Sequence, residues 1–259
     1  MSGTAKTDWN PGAYGRFRDL RLRPAIDLLG AIRSVGGGDV VDLGCGNGVM
    51  GESLKARFPG HHLVGIDGSP AMLEQAGEVG AYDALEEADI AQWRVERAGL
   101  IFTNAALHWL KDHEVLMPRL AGMLAPGGTL AVQMPHQNNA PSHRLWLSLV
   151  DEMFPGRVDT EAGPGVMKPA RYFHLLGGLG AFSLWETEYY QLLPADAQGH
   201  PVRRFTESTF ARPILEALDE DEQARLIRAY EAVMEKAYPR GADGTVLFPF
   251  RRMFFTLTV

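Results

Sequence analysis

The sequence predicts an α/β fold, with a mostly parallel sheet buried on both faces by helices and a helical cap after it. Three observations carry this expectation. Short apolar runs alternate with helical patterns from Pro24 to Pro135, which is the rhythm of βαβ units. The first apolar run, "DVVDL", opens into a glycine-rich turn, "GCGNGVMG". Beyond Pro135 the alternation stops, and longer helical stretches are followed by late β-prone runs.

Each element has its own justification. Pro24 opens a predicted helix, since proline is tolerated at a first helical position. Ile26, Leu29 and Ile32 give that helix an apolar face, and Gly36–Gly38 end it. "DVVDL" leads to a helix through Leu54 and Phe58 that Pro59-Gly60 closes. "HLVGID" leads to a helix from Ser69-Pro70 through Met72, Leu73 and Ala76. "AYDALEEADI" is a weaker segment. "GLIFTNA" leads to a helix containing Val115, Leu116, Leu120 and Met123, expected to stop at Pro126-Gly127-Gly128 before "TLAVQM". Parallel strands covered on both faces are apolar throughout, as these are.

In the second half, "APSHRLWLSLVDEMF" reads as a helix and "PGRVDTEAGPGVMKP" as a loop. "SLWETEYYQLL" reads as a strand. Leu226, Ile227, Tyr230, Val233, Met234 and Ala237 mark an amphipathic helix with acid at its N-terminal end. "VLFPFRRMFFTLTV" is β-prone, although Pro249 argues against an interior strand position for its first half. Residues 1–135 are therefore expected to form the α/β core with an N-terminal lid segment. Residues 136–259 are expected to carry the cap and the last strands, in one continuous domain.

Composition narrows the function. The chain has 259 residues, 46% hydrophobic and 22% charged, with a formal net charge of -7. A negative chain without a lysine-rich tract argues against nucleic acid as the main partner. No run approaches the roughly 18 apolar residues that a bilayer requires, and no secretory leader is visible. Cys45 is the only cysteine, which excludes an internal disulfide and a multi-cysteine zinc site. These features point to a cytoplasmic protein with no bound metal.

The glycine turn admits two ligand classes. Gly46, Gly48 and Gly51 spell the GxGxxG of a dinucleotide site. Asp42, however, closes the strand where a pyrophosphate would dock, and a carboxylate repels phosphate while attracting an ammonium or sulfonium group. The pattern Asp42-x-Gly44-x-Gly46-x-Gly48, followed by Asp67 after the second strand, "GSP" with Met72, "EADI" with Asp89 and Ile90, and "LIFTNAALHWL", resembles class I S-adenosylmethionine-dependent methyltransferases.

That resemblance implies a Rossmann-like sheet of seven strands in the order 3-2-1-4-5-7-6, with strand 7 antiparallel. It implies S-adenosyl-L-methionine as cofactor and S-adenosyl-L-homocysteine as product. The cofactor residues it implies are Asp42, Gly44, Cys45, Gly46, Asp67, Gly68, Ser69, Met72, Asp89, Ile90, Asn104, Ala105 and Trp109. Among these, Asp67 would accept the ribose hydroxyls, and Asp89 the adenine amine. "DWNPGAY", "RLRPAIDLL", "TEYYQLLP", "ARPIL" and "RRMFF" are similar to the branch of the family that esterifies a carboxylate of trans-aconitate. A small polyanionic carboxylic acid is then the implied substrate.

A carboxylate nucleophile is already ionised at neutral pH, so the transfer needs alignment and exclusion of water rather than a base. It needs cations for the other carboxylates, and bidentate arginine suits that task. Arg212 and Arg252 are the leading candidates, the second because a charge amid apolar residues calls for a partner. Tyr14 is a candidate lid residue that binds a carboxylate or covers the cofactor. His108 is expected to line the substrate pocket and is a weak candidate for a base. No residue is assigned as catalytic acid or base. Three alternatives remain: another small acceptor (a carrier-bound carboxylate, a phenol or a quinoid carbon), a nicotinamide-dependent oxidoreductase, or a non-catalytic sensor of the cofactor.

Overall fold

The computed structural model describes residues 18–159 and 165–259. The first helix, α1 (Arg18–Ala31), starts a turn and a half before Pro24 and runs through it. Ala25, Leu28 and Leu29 are buried on it and Ile32 just past its end, while Ile26 is 39% exposed. The spacing of that face is the i, i+3, i+4, i+7 of a helix against a core. Counting Ile26 rather than Ala25 had turned the expected face by one residue. Pro24 forfeits one backbone donor, a loss that the buried face outweighs.

The alternating core follows as β1 (Asp39–Leu43), α2 (Gly51–Arg57), β2 (Leu63–Asp67), α3 (Pro70–Val79), β3 (Ala84–Glu87), β4 (Ala98–Asn104), a 3₁₀ turn (Leu107–Trp109), α4 (His113–Ala121) and β5 (Leu124–Pro135). Then come α5 (Pro141–Met153), α6 (Pro169–Leu176), β6 (Ala181–Leu193), α7 (Pro201–Glu207), α8 (Arg212–Glu216), α9 (Glu220–Ala237) and β7 (Val246–Thr258). The seven strands form one sheet in the order β3-β2-β1-β4-β5-β7-β6. Pairing is parallel from β3 through β5. Strand β7 runs the other way: Gly127 N–H donates to Val259 O at one end, and His136 N–H donates to Arg251 O at the other.

Two expectations are corrected here. Pro126-Gly127-Gly128 does not end a helix but lies inside β5, where pairing jumps from Ala98↔Leu124 to Leu100↔Thr129. Gly127 takes φ +75°, and a Cβ on Gly128 would stand 2.7 Å from Ala125 O. The glycines thus make a bulge. Pro249, in turn, lies within β7, an interior strand. Gln137, two residues past the end of β5, supplies the missing ladder: its Nε2 donates to Pro249 O (2.8 Å), and its Oε1 accepts from Arg251 N–H (2.9 Å). A side-chain amide replaces the strand that proline would have blocked.

The chain divides into two compact units, one of residues 1–134, 165–186 and 253–259, the other of 135–164 and 187–252. The first holds the sheet core, where Val41, Leu43, Ile66, Ile101, Leu130 and Val132 pack with Leu107, Leu116, Leu120, Tyr172 and Phe255. In the second, Trp146 stacks on Tyr230 at 3.8 Å, and its Nε1 donates to Thr206 Oγ1. Helix α9 starts with a capping box, in which Asp219 accepts from Glu222 N–H and Glu222 from Asp219 N–H, a device that stabilises a helix start by about 1 kcal/mol. Among the described residues, no helix is long and apolar enough to cross a membrane.

Candidate methyl-donor crevice

In an open α/β sheet, ligands bind beyond the carboxyl ends of the strands where the strand order reverses. Here that point lies between β1 and β4. The glycine turn after β1 and the residues after β4 meet there. A Cβ on Gly44 would stand 2.3 Å from Ala106 Cβ and 3.3 Å from Ile90 Cδ1, so only glycine lets the two chain ends close. Gly44, Gly46 and Gly48 take φ of +80°, +54° and +77°, the left-handed region that glycine enters without steric cost.

The three glycines do different jobs. A Cβ on Gly46 would meet nothing within 4 Å, so this is the residue whose face is open. A Cβ on Gly48 would lie 2.9 Å from Ala76 Cα and 3.1 Å from the Tyr82 ring, and one on Gly51 only 2.7 Å from that ring. The GxGxxG spacing therefore does not mark a phosphate cradle. Its second and third glycines make room for Tyr82, a residue the sequence reading passed over because it lies in no motif.

Asp42 is 3% exposed, and Tyr82 Oη donates to its Oδ2 at 2.7 Å. Burial pushes the carboxyl up to about 7, with Asp67 adding to the rise and the Tyr82 hydrogen bond opposing it. Near neutrality Asp42 is poised between its two forms, and a cation beside it favours the ionised one. Cys45, 6% exposed, is a thiol pushed far up by the same burial, and it fills space.

Asp67 ties the first two strands together. Its Oδ2 accepts from Gly46 N–H and its Oδ1 from Ser69 N–H, each at 2.9 Å. Both oxygens keep a further lone pair. Ser69 caps α3 by accepting from Met72 N–H, with Pro70 at the first helical position, and Met72 is buried. Gly68, between Asp67 and that cap, is exposed.

After β3, Asp89 is exposed and turns the chain by accepting from Ala91, Gln92 and Trp93 N–H. Arg119 on α4 donates to Ile90 O (3.0 Å) and Trp93 O (2.6 Å), which fixes the turn carrying Asp89 and Ile90. At the end of β4, Asn104 Oδ1 is buried with no hydrogen-bond partner among the described residues. Ala105 takes φ +52°, an uncommon conformation for a non-glycine residue. His108 is 8% exposed and lies against Trp109, itself 49% exposed, with ring centroids 4.4 Å apart.

These residues fit a cationic nucleoside donor: an open glycine face, carboxylates with spare lone pairs at or just past the ends of β2 and β3, and a buried acceptor, without a partner among the described residues, at the end of β4. Among the described residues, no group of three or more His, Cys, Asp or Glu side chains is placed to hold a metal ion.

In the second unit, Arg252 is 4% exposed, and its guanidinium lies 4.7 Å from the Phe250 ring centroid. His143 packs on Phe210 and Phe250, and burial drives its pKa down to about 3, so the imidazole is neutral. Arg212 is exposed and pairs with Glu216 one turn on (2.7 Å). The structure thus joins it to its own helix surface. Tyr189 is half-buried and Tyr190 is 64% exposed, the alternation of an edge strand. Tyr14 lies outside the described residues.

The methyltransferase-domain family matches residues 14–162. Trans-aconitate 2-methyltransferase of Pseudomonas aeruginosa (strain UCBPP-PA14) is 38% identical over 261 residues, covering 97% of this chain and 94% of that protein. The YcgJ protein of Bacillus subtilis is similar in fold, with a TM-score of 0.53 at 13% identity over 91% of this chain and 97% of that one. Phosphoethanolamine N-methyltransferase 2 of Haemonchus contortus, solved with S-adenosylhomocysteine, is similar in fold at a TM-score of 0.51 and 15% identity, over 91% of this chain and 52% of that one.

Proposed function

Since this chain belongs to the methyltransferase-domain family and uses S-adenosyl-L-methionine, with S-adenosyl-L-homocysteine as product, we propose that it esterifies a carboxylate of a small polycarboxylic acid, trans-aconitate. One observation carries the choice of acceptor. The kinship to trans-aconitate 2-methyltransferase runs through nearly the whole chain, second unit included, rather than through the cofactor half alone.

When bound, the cofactor supplies a methyl group on a positively charged sulfur. The chain's residues bind and orient it. Asp67 accepts the ribose hydroxyls with its spare lone pairs, Asp89 accepts the adenine amine, and Ile90 and Met72 offer apolar contacts to the base. Asn104 Oδ1 and Asp42 answer the donor's positive charge, while Gly44, Cys45, Gly46, Gly68, Ser69 and Ala105 shape the turns. Trp109 and His108 exclude water from the transfer. An acceptor carboxylate is ionised at neutral pH, so no residue has to remove a proton, and His108 is not required as a base.

Arg252 is the proposed anion ligand. A guanidinium that is nearly buried and stacked on an aromatic ring is held in one orientation before substrate arrives, which suits bidentate capture of a carboxylate. Arg212, tied to Glu216, is a secondary candidate, and Tyr14 is proposed to close over the acceptor. The test is incubation with S-adenosylmethionine and a panel of acids and phenols, followed by mass spectrometry. Trans-aconitate gaining one methylene in ester linkage supports the proposal. A phenol that gains mass while every tricarboxylic acid stays unmodified replaces it with the other-acceptor reading.

A further inference from the structure

Tyr82 lies in the turn between α3 and β3, outside every motif of the crevice, yet three elements are shaped around it. Cβ atoms added to Gly48, Gly51 and Gly65 would stand 3.1, 2.7 and 2.9 Å from its ring atoms. Those glycines belong to the turn after β1, the start of α2 and the middle of β2. The ring occupies the space that side chains at all three positions would need, and a change of rotamer would give up that seat. The hydroxyl then has one destination, Asp42 Oδ2 at 2.7 Å. Burial and the neighbouring carboxylate drive the phenol's own ionisation far upward, so it remains a donor throughout the accessible pH range.

We infer that Tyr82 is a positioning residue for methyl-donor binding: its glycine-seated ring and donated hydroxyl hold the Asp42 carboxylate in one direction and favour its ionised form. This inference rests on the crevice being the donor site. It gives Gly48 and Gly51 a reason for being glycine that does not involve the donor. It also shows how a buried acid can answer a cation. The phenol partly replaces the solvation that burial removes, so Asp42 is charged at lower pH than burial alone would allow.

The test uses Tyr82→Phe, which keeps the ring and removes only the hydroxyl. Carbon-13 NMR of labelled aspartate in the cofactor-free protein reads the Asp42 midpoint directly. Calorimetry with S-adenosylmethionine from pH 6 to 9 reads binding. The variant's midpoint should rise by about one pH unit, the worth of a hydrogen bond to a charged group. Donor affinity at pH 7 should fall about fivefold, and the gap should close towards pH 9, where Asp42 is ionised in both proteins. In an Asp42→Asn background, Tyr82→Phe should leave the pH profile of binding unchanged.

An identical Asp42 midpoint in wild type and variant overturns the role of Tyr82. So does a loss of affinity that is equal at every pH, since that marks a packing defect. A wild-type protein that binds no S-adenosylmethionine, while the two midpoints still separate, marks failure of the donor-site reading itself and removes the positioning role with it.

Discussion

Replacing Asp42 by Asn should make the cofactor-free protein more stable and donor binding weaker, and the structure sets the size of the first effect. Asp42 is held at about 7 against an ordinary 3.8, mainly by burial. Between those values the folded protein keeps a proton that the unfolded chain has released. Stability therefore declines as pH rises from about 4 to about 7 and stays reduced above it. At about 1.36 kcal/mol per pH unit, the gap amounts to about 4 kcal/mol, an upper bound because buried sites relax. An asparagine at the same place carries no charge to desolvate and still accepts from Tyr82 Oη.

Urea denaturation of the cofactor-free proteins at pH 5 and pH 8 reads this. Wild type should lose stability between the two values relative to Asp42→Asn by about 2–4 kcal/mol, and the difference between the proteins removes the contribution of all other titrating groups. Calorimetry at pH 8 should show the variant binding S-adenosylmethionine at least tenfold more weakly, since a charge-assisted contact is gone. Equal pH slopes for the two proteins would show that Asp42 is not desolvated as the structure has it. Equal donor affinities would remove its carboxylate from the site.

Four further substitutions separate roles within the crevice and the second unit. Gly46→Ala places a methyl in open space at the strain of a left-handed residue, about 1 kcal/mol, so it should fold and lose donor affinity. Gly48→Ala, which meets Ala76 and the Tyr82 ring, should lower the urea midpoint by at least twice as much. A Gly46→Ala protein that binds normally contradicts the assignment of the open face. Asp67→Ala should weaken donor binding by about 2–3 kcal/mol; because Asp67 also ties Gly46 to Ser69, amide exchange in both turns should quicken. Unchanged exchange would mean the tie is dispensable. Arg252→Met should raise the acceptor's KM at least tenfold and leave the donor's KM within twofold, whereas equal effects on both would make Arg252 structural.

The sheet was legible because its signals are local and redundant. Except for β3, whose Ala84–Glu87 is acidic and largely exposed, each parallel strand contains a short apolar run, and the acidic residues before Leu226 announce α9. The turn after β1 was legible too, since three alternate glycines have few other uses than φ above zero. What the sequence hid depends on partners far along the chain. Pro249 argued against an interior strand because the amide that repairs its ladder belongs to Gln137. The Pro126-Gly127-Gly128 bulge looks like a helix stop until Ala98 is set beside it. Gly51 looked like part of a dinucleotide fingerprint because nothing in its own neighbourhood reveals Tyr82. The burial of Asp42, which decides its ionisation, was hidden as well, because it is a property of the packed sheet.

The most direct measurement of the central claim is a crystal structure of the protein grown with S-adenosylhomocysteine. The ribose hydroxyls should lie on the Asp67 carboxylate, the adenine beside Asp89 and Ile90, and the amino acid end against the open face of Gly46. The nucleoside found away from the β1–β4 crossover, with Gly46 still facing solvent and Asp67 bonded only to Gly46 and Ser69, contradicts the account.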